Sequence, residues 1–187
     1  LGVLLAALRL GAGRVTATAV AAYVELFRGT PVLLQLYVLY FGLAPVLKLG
    51  PTTAAVLGLG LNYAAYEAEV YRGAMLTVPR GQSEAGAALG LGPWQTMRYV
   101  VFPQAMRMAL PAITNDFVSL LKDSSLVSVL TVVELTKRMT ISAVESRSWL
   151  GPGLLCAALY FAMSFPLSRL SRRLEQRLPH DPYPRPG

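Results

Sequence analysis

Charge, cysteine and histidine are all scarce in this sequence. Only 14% of its 187 residues are Asp, Glu, Lys or Arg. The single cysteine, Cys156, sits in an apolar run, and the single histidine, His180, in a Pro-rich tail. One of each excludes a disulfide framework and a metal cluster. It also leaves no nucleophile with a base beside it, so enzyme chemistry has little to stand on. Lysine is rarer than arginine: Lys48, Lys122 and Lys137 are the whole set, and none follows a Gly-rich loop. Neither GxxxxGKS nor GxxxxGKT occurs, which excludes a P-loop ATP site. Internal repeats of roughly 20 to 50 residues are missing too, which argues against a solenoid or an inverted-repeat carrier within the chain.

What is abundant is apolar. Hydrophobic residues make up 54% of the chain and the mean hydropathy is +0.48, which points to lipid as the solvent and to an all-α membrane protein. Uncharged or nearly uncharged runs at Gly29 to Leu47, Leu49 to Tyr66, Met108 to Val133 and Ser148 to Ser168 are the spanning candidates. Leu1 to Leu8 is apolar but too short to cross; it reads as the stump of an incomplete first span, with a signal peptide as the alternative. The expected domain layout is one transmembrane domain over residues 1–178 and a Pro-rich cytoplasmic tail over 179–187.

A formal charge of +7 raises the question of nucleic acid. A DNA binder needs its basic residues on a solvated face, whereas here they lie between apolar runs and serve as topology signals, so no nucleic-acid partner is expected. If the runs alternate sides, one side collects Arg9, Arg14, Arg28, Arg72, Arg80, Arg98, Arg107 and the arginines from Arg169 to Arg185. The other collects Lys48, Lys137, Arg138 and Arg147, with Lys122 at depth. The positive side is the cytoplasm. That places the amphipathic loop over 77–107 and the C-terminus inside, in a bacterial inner membrane.

Within this loop Glu84 to Leu89 is expected to be helical, with Ser83 as N-cap and Glu84 in the first turn. Gly90 and Gly92 stop it, and Pro93 begins the next element. A short helix, a tight turn and a second helix make either a knob for another protein or an interfacial helix lying on lipid.

The spacing of this segment resembles the EAA loop of ABC importer permeases. Glu84, Ala85 and Gly86 are followed at the family's intervals by Gly90 and then by Val100, Val101, Phe102 and Pro103. Gly86 replaces the family's alanine, which lowers local helix stability by roughly 1 kcal/mol. Glu25 to Pro31, Gln35, Tyr40 to Leu43, Tyr66 to Gly73, Pro79 to Gln82 and Asn115 to Leu126 further resemble the branch of these importers that takes polar amino acids. The resemblance implies a five-span permease core, homo- or heterodimeric, with the first span only partly present here. It implies an ATPase dimer on the cytoplasmic side, coupled through Glu84, Ala85, Gly86, Gly90 and Pro103, and a solute-binding protein outside. ATP and Mg then belong to the partner, with no cofactor in this chain. The function implied is ATP-driven uptake of an amino acid, polar or cationic.

Charges at membrane depth cost about 2.5 to 3.5 kcal/mol each, so they default to functional or paired positions. Asn62, Tyr66, Glu69 and Gly73 recur at helical spacing on the second run. Asn115, Asp116, Ser119, Lys122 and Asp123 do so on the third. Facing each other, these stripes would offer carboxylates to a solute's ammonium or guanidinium, and Lys122 or hydroxyls to its carboxylate. Gln35 is a further polar group in an apolar span. The alternative is that the polar groups pair with one another as interhelical glue. Two other readings remain open on sequence: an ion-coupled secondary carrier, and a membrane scaffold that recruits a cytosolic protein.

Overall fold

The computed structural model describes residues 1–177; the Pro-rich tail at 179–187 and His180 lie outside the described residues. The described chain is helical throughout. Its elements are α1 (Gly2–Gly11), α2 (Arg14–Arg28), α3 (Val32–Tyr37), α4 (Ala44–Leu47), α5 (Pro51–Thr77), α6 (Arg80–Ala88), α7 (Pro93–Thr96), α8 (Phe102–Asp123), α9 (Leu135–Glu145) and α10 (Leu150–Arg177). A π-turn at Val38–Gly42 joins α3 towards α4, another at Met97–Val101 joins α7 to α8, and a 3₁₀ segment, Ser124–Leu130, continues α8.

These elements make five passes. α5 is the axis: at 27 residues it is about 40 Å long, enough to cross a bilayer. The passes formed by α1, by α2 to α4 and by α8 all pack on it, and α10 packs on α8. The faces of α5 that meet them are built from Ala54, Ala55, Gly58, Ala64, Ala65 and Ala68, so backbones approach closely. A Cβ on Gly58 would lie 2.6 Å from Leu36 Cδ2, and one on Gly2 would lie 2.6 Å from Glu67 Cβ. The core is accordingly three small clusters strung along α5, around Leu36 and Leu130, around Val24 and Ala65, and around Met75 and Val101. Large apolar side chains such as Val56, Phe117, Leu154 and Phe161 point outward, as in a protein solvated by lipid. By length and composition Leu150–Gln176 alone among the described helices meets the requirement for a self-sufficient span.

Several boundaries differ from expectation. The uncharged run Gly29 to Leu47 is the upper half of a longer, broken pass that begins at Arg14 and is interrupted at Gly29–Pro31. Pro31 has no N–H to donate and biases Thr30 away from helix. Arg28 therefore ends at mid-height beside Tyr66, the sixteenth residue of α5, and not at one membrane face as charge counting implied. The second span runs past Tyr66 to Thr77, because Glu67, Glu69 and Arg72 find partners that let a polar helix stay in the bundle. The third begins at Phe102, leaves the α form at Asp123 and ends at Thr131, whose φ is 65°. Leu1 to Leu8 belongs to a ten-residue helix seated on α5. Ser83 is not an N-cap: buried Val78 anchors the end of α5, the chain turns at Pro79, and α6 starts at once at Arg80.

Candidate functional site: a mid-membrane cavity and an exposed hairpin

The break in the second pass leaves carbonyls without helical partners, and two side chains satisfy them. Gln35 Nε2 donates to Phe27 O at 2.8 Å and is within 3.0 Å of Thr30 O and 2.8 Å of Thr30 Oγ1. Asn62 Nδ2, from α5, donates to Phe27 O at 3.2 Å and to Gln35 Oε1 at 3.0 Å. In lipid such groups must be satisfied internally. Gln35, expected along a solute path, caps the broken backbone and does not line the cavity, and Asn62 divides itself between the cap and the cavity wall.

That cavity has a volume of about 440 Å³ and lies between the break, α5 and α8. The break contributes Arg28, Gly29, Thr30 and Pro31; α5 contributes Asn62, Tyr63 and Tyr66; α8 contributes Asp116, Ser119 and Asp123. The Arg28 guanidinium stands 5.3 Å from the centre of the Tyr66 ring, a cation–π contact that holds it over the cavity. Tyr63 Oη donates to Asp123 Oδ2 at 2.9 Å. Asp116 lies within electrostatic reach of both Arg28 and Glu67, and Glu67 is hydrogen-bonded to Tyr71. Asp116 Oδ2 and Glu67 Oε2 are buried with no hydrogen-bond partner among the described residues. One guanidinium, two carboxylates and two phenols thus converge on a space of small-molecule size.

Helical phase decides which predicted residues meet here. Asp116, Ser119 and Asp123 are spaced +3 and +4 and share a face. Asn115 and Lys122 each sit one residue, about 100°, away. Asn115 faces α10, where Ser171 Oγ shares its proton between Asn115 Oδ1 at 3.0 Å and Pro111 O at 3.1 Å. Lys122 is exposed and does not line the cavity. Glu69 shares a face with Asn62 but lies seven residues, about 10 Å, further along α5. There it is bracketed by Arg9 of α1 and by Arg72, at 2.7 Å. It fastens α1 to α5 and is not at the cavity. Sequence reasoning did not single out Arg28 or Tyr63 as site residues. The signal for Arg28 was available: a charge next to a Gly-Thr-Pro helix break inside an apolar pass is where transporters expose ligand-binding backbone. Among the described residues no three His, Cys, Asp or Glu gather as a metal would need.

The second feature is the hairpin of α6 and α7. Gly90, at φ +82°, makes the turn. Gly90 N–H donates to Ala87 O and Leu91 N–H to Gly86 O, closing the end of α6. Gly92 N–H is capped by Gln95 Oε1 at 2.9 Å. Glu84, Ala85 and Gly90 are exposed, Gly86 is buried against Thr96, and Pro103 lies in the first turn of α8 behind the π-turn. Leu89, at the tip, is 82% exposed, an apolar group that nothing among the described residues covers.

Relatives match both the sequence and the shape. The chain is 39% identical over 160 residues to the glutamine transport system permease protein GlnP of Escherichia coli K12, covering 82% of this chain and 73% of the relative. It is 38% identical over 161 residues to the L-cystine transport system permease protein TcyB of Bacillus subtilis, covering 84% and 68%. A crystal structure of an amino acid ABC transporter with histidines superposes with a TM-score of 0.87 at 35% identity, over 95% of this chain and 83% of that one. The MetNI methionine ABC transporter in an inward-facing conformation shares the fold, with a TM-score of 0.68 at 24% identity over 92% and 83%. Residues 1–180 match the family described as binding-protein-dependent transport system inner membrane component, and the chain belongs to that family.

Proposed function

We propose that the chain is the membrane-spanning permease subunit of an ATP-driven amino-acid importer, and that the cavity between Arg28, Tyr66, Asp116 and Asp123 is where the solute crosses. The observation that carries this reading is the pairing, across one space of about 440 Å³, of the Arg28 guanidinium with two carboxylates. Arg28 suits a solute's carboxylate, because a planar guanidinium recognises it bidentately. Asp116 and Asp123 suit its ammonium. With one positive and two negative groups on the wall, a polar or cationic amino acid fits better than an acidic one.

Power comes from outside the chain. An ATPase dimer receives the hairpin of α6 and α7, with Glu84, Ala85, Gly86 and Gly90 on the knob and Pro103 behind it. A second permease subunit completes the membrane part, and a solute-binding protein delivers cargo at the opposite end. The charge distribution supports the orientation. Arg72, Arg80, Arg98 and Arg107 lie at the hairpin end, and α10, antiparallel to α8, brings Arg172 and Arg173 to the same end. Lys48, Lys137, Arg138 and Arg147 lie at the other. The hairpin and the end of α10 are then cytoplasmic.

The test is uptake of a radiolabelled amino-acid mixture by vesicles holding the whole complex. Asp116→Asn is expected to raise KM at least about tenfold, the scale of one lost charge-assisted contact. Unchanged uptake kinetics in Asp116→Asn and Arg28→Met would remove the cavity from the path. Normal uptake in Glu84→Lys would remove the hairpin from the coupling.

A further inference from the structure

α6 is tied to the helix that carries Asp116, Ser119 and Asp123 of the cavity wall, and the tie depends on a residue with no side chain. Gly86 is buried on the inner face of α6, directly over Thr96, which is 6% exposed at the end of α7. A methyl on Gly86 would lie 2.9 Å from Thr96 Cγ2, 3.0 Å from Oγ1 and 3.4 Å from Cβ, so an alanine there requires the Thr96 side chain or α6 itself to shift. A second attachment lies nearby: Gln104 Nε2, on α8, donates to Gln82 Oε1, on α6, at 3.2 Å. Two attachments resist both sliding and rotation of α6, where one would leave a pivot.

Beyond Thr96 the connection is continuous. The π-turn Met97–Val101 follows immediately, and α8 then runs, with Pro111 in its interior, to Asp116, Ser119 and Asp123. At its foot Val101 and Ala105 are packed against Met75 and Val78 of α5. A load on the exposed Glu84 face therefore has the Gly86–Thr96 contact as one route to the cavity wall, beside the Gln82–Gln104 hydrogen bond and the short Val78–Pro79 link to α5.

We infer that Thr96 is the positioning residue for coupling in this permease, setting the angle of α6 on the π-turn through a contact that requires glycine at position 86. This rests on the proposed docking of the hairpin to an ATPase. It also gives Gly86 a physical reason: the methyl absent there is present on Thr96, so the two positions share one volume.

The experiment is a double-substitution cycle on complexes in phospholipid vesicles with the ATPase and binding protein. It reads amino-acid-mixture uptake per ATP hydrolysed, normalised to assembled complex, because a loss of folding alone changes the amount of complex and not the ratio. Gly86→Ala is expected to lower the ratio about tenfold, and Thr96→Ala, which opens a gap beneath α6, about threefold. The pair Gly86→Ala with Thr96→Ala is expected to return to within about twofold of the unmodified protein, the non-additivity of residues in direct contact. A normal ratio in either single variant, or a double variant no better than Gly86→Ala, would overturn the inference. Glu84→Lys separates the two levels. If it transports normally the docking reading fails, and if it abolishes uptake while Gly86→Ala does not, only the role of Thr96 fails.

Discussion

Gln35→Leu distinguishes a solute ligand from a structural cap. Leucine keeps most of the volume and removes both ends of the amide. In the structure Gln35 serves Phe27 O, Thr30 O and Thr30 Oγ1, and it accepts from Asn62. After the change Phe27 O still has Asn62 at 3.2 Å, and Thr30 Oγ1 still donates to Leu26 O at 2.8 Å. Two groups lose their partner: Thr30 O and one Asn62 N–H. Interhelical hydrogen bonds in membranes average about 0.6 kcal/mol, and an unsatisfied buried group costs about 1 to 3 kcal/mol. For two groups the expected loss is therefore about 1 to 6 kcal/mol of stability. Unfolding of the purified permease in mixed detergent micelles measures it, alongside KM for an amino acid that the reconstituted complex takes up. The expected result is a clear loss of stability with KM changed less than about twofold, since Gln35 does not line the cavity. A KM raised tenfold with unchanged stability would refute the reasoning and return Gln35 to the solute path.

Three further outcomes follow from the same structure. Gly90→Val is expected to cost more coupling than Gly90→Asn, because nothing lies within 4 Å of an added Cβ and only the φ of +82° resists the change, which Asn tolerates better; uptake assays on the pair compare them. Glu69→Leu is expected to destabilise the permease more than Arg9→Leu, since it strips both Arg9 and Arg72 of their partner while Arg9→Leu leaves the Glu69–Arg72 pair at 2.7 Å; the same unfolding assay ranks them. Gly58→Leu is expected to cost about 1 to 3 kcal/mol by overpacking Leu36, which is fully buried, whereas Gly60→Leu, with nothing within 4 Å of its Cβ, is expected to leave unfolding nearly unchanged.

The hairpin was readable one residue at a time because its signals are local. Gly90 takes a positive φ, Pro93 suits the first turn of a helix, and neither depends on distant partners. The spacing of the third run led to one stripe of Asn115, Asp116, Ser119, Lys122 and Asp123, whereas only Asp116, Ser119 and Asp123 line the cavity, Asn115 and Lys122 being turned about 100° away. Ser83 misled because capping preference is weaker than a buried Val78 and a proline that turns the chain just upstream.

Composition and apolar runs by themselves determined that the chain is helical and solvated by lipid, and the spacing around Glu84 and Gly90 determined its family, since each follows from residue types at fixed short intervals. Tertiary structure alone decided where Arg28 stands. A break at Gly29–Pro31 leaves it at mid-height over Tyr66 and not at a membrane face. It also decided that Gln35 and Glu69 hold the fold while Asp116 and Asp123 face the cavity. The physical reason is common to both: a polar group in lipid must find a partner, and which partner is within reach is a property of neighbouring helices, 35 or 60 residues away in the chain.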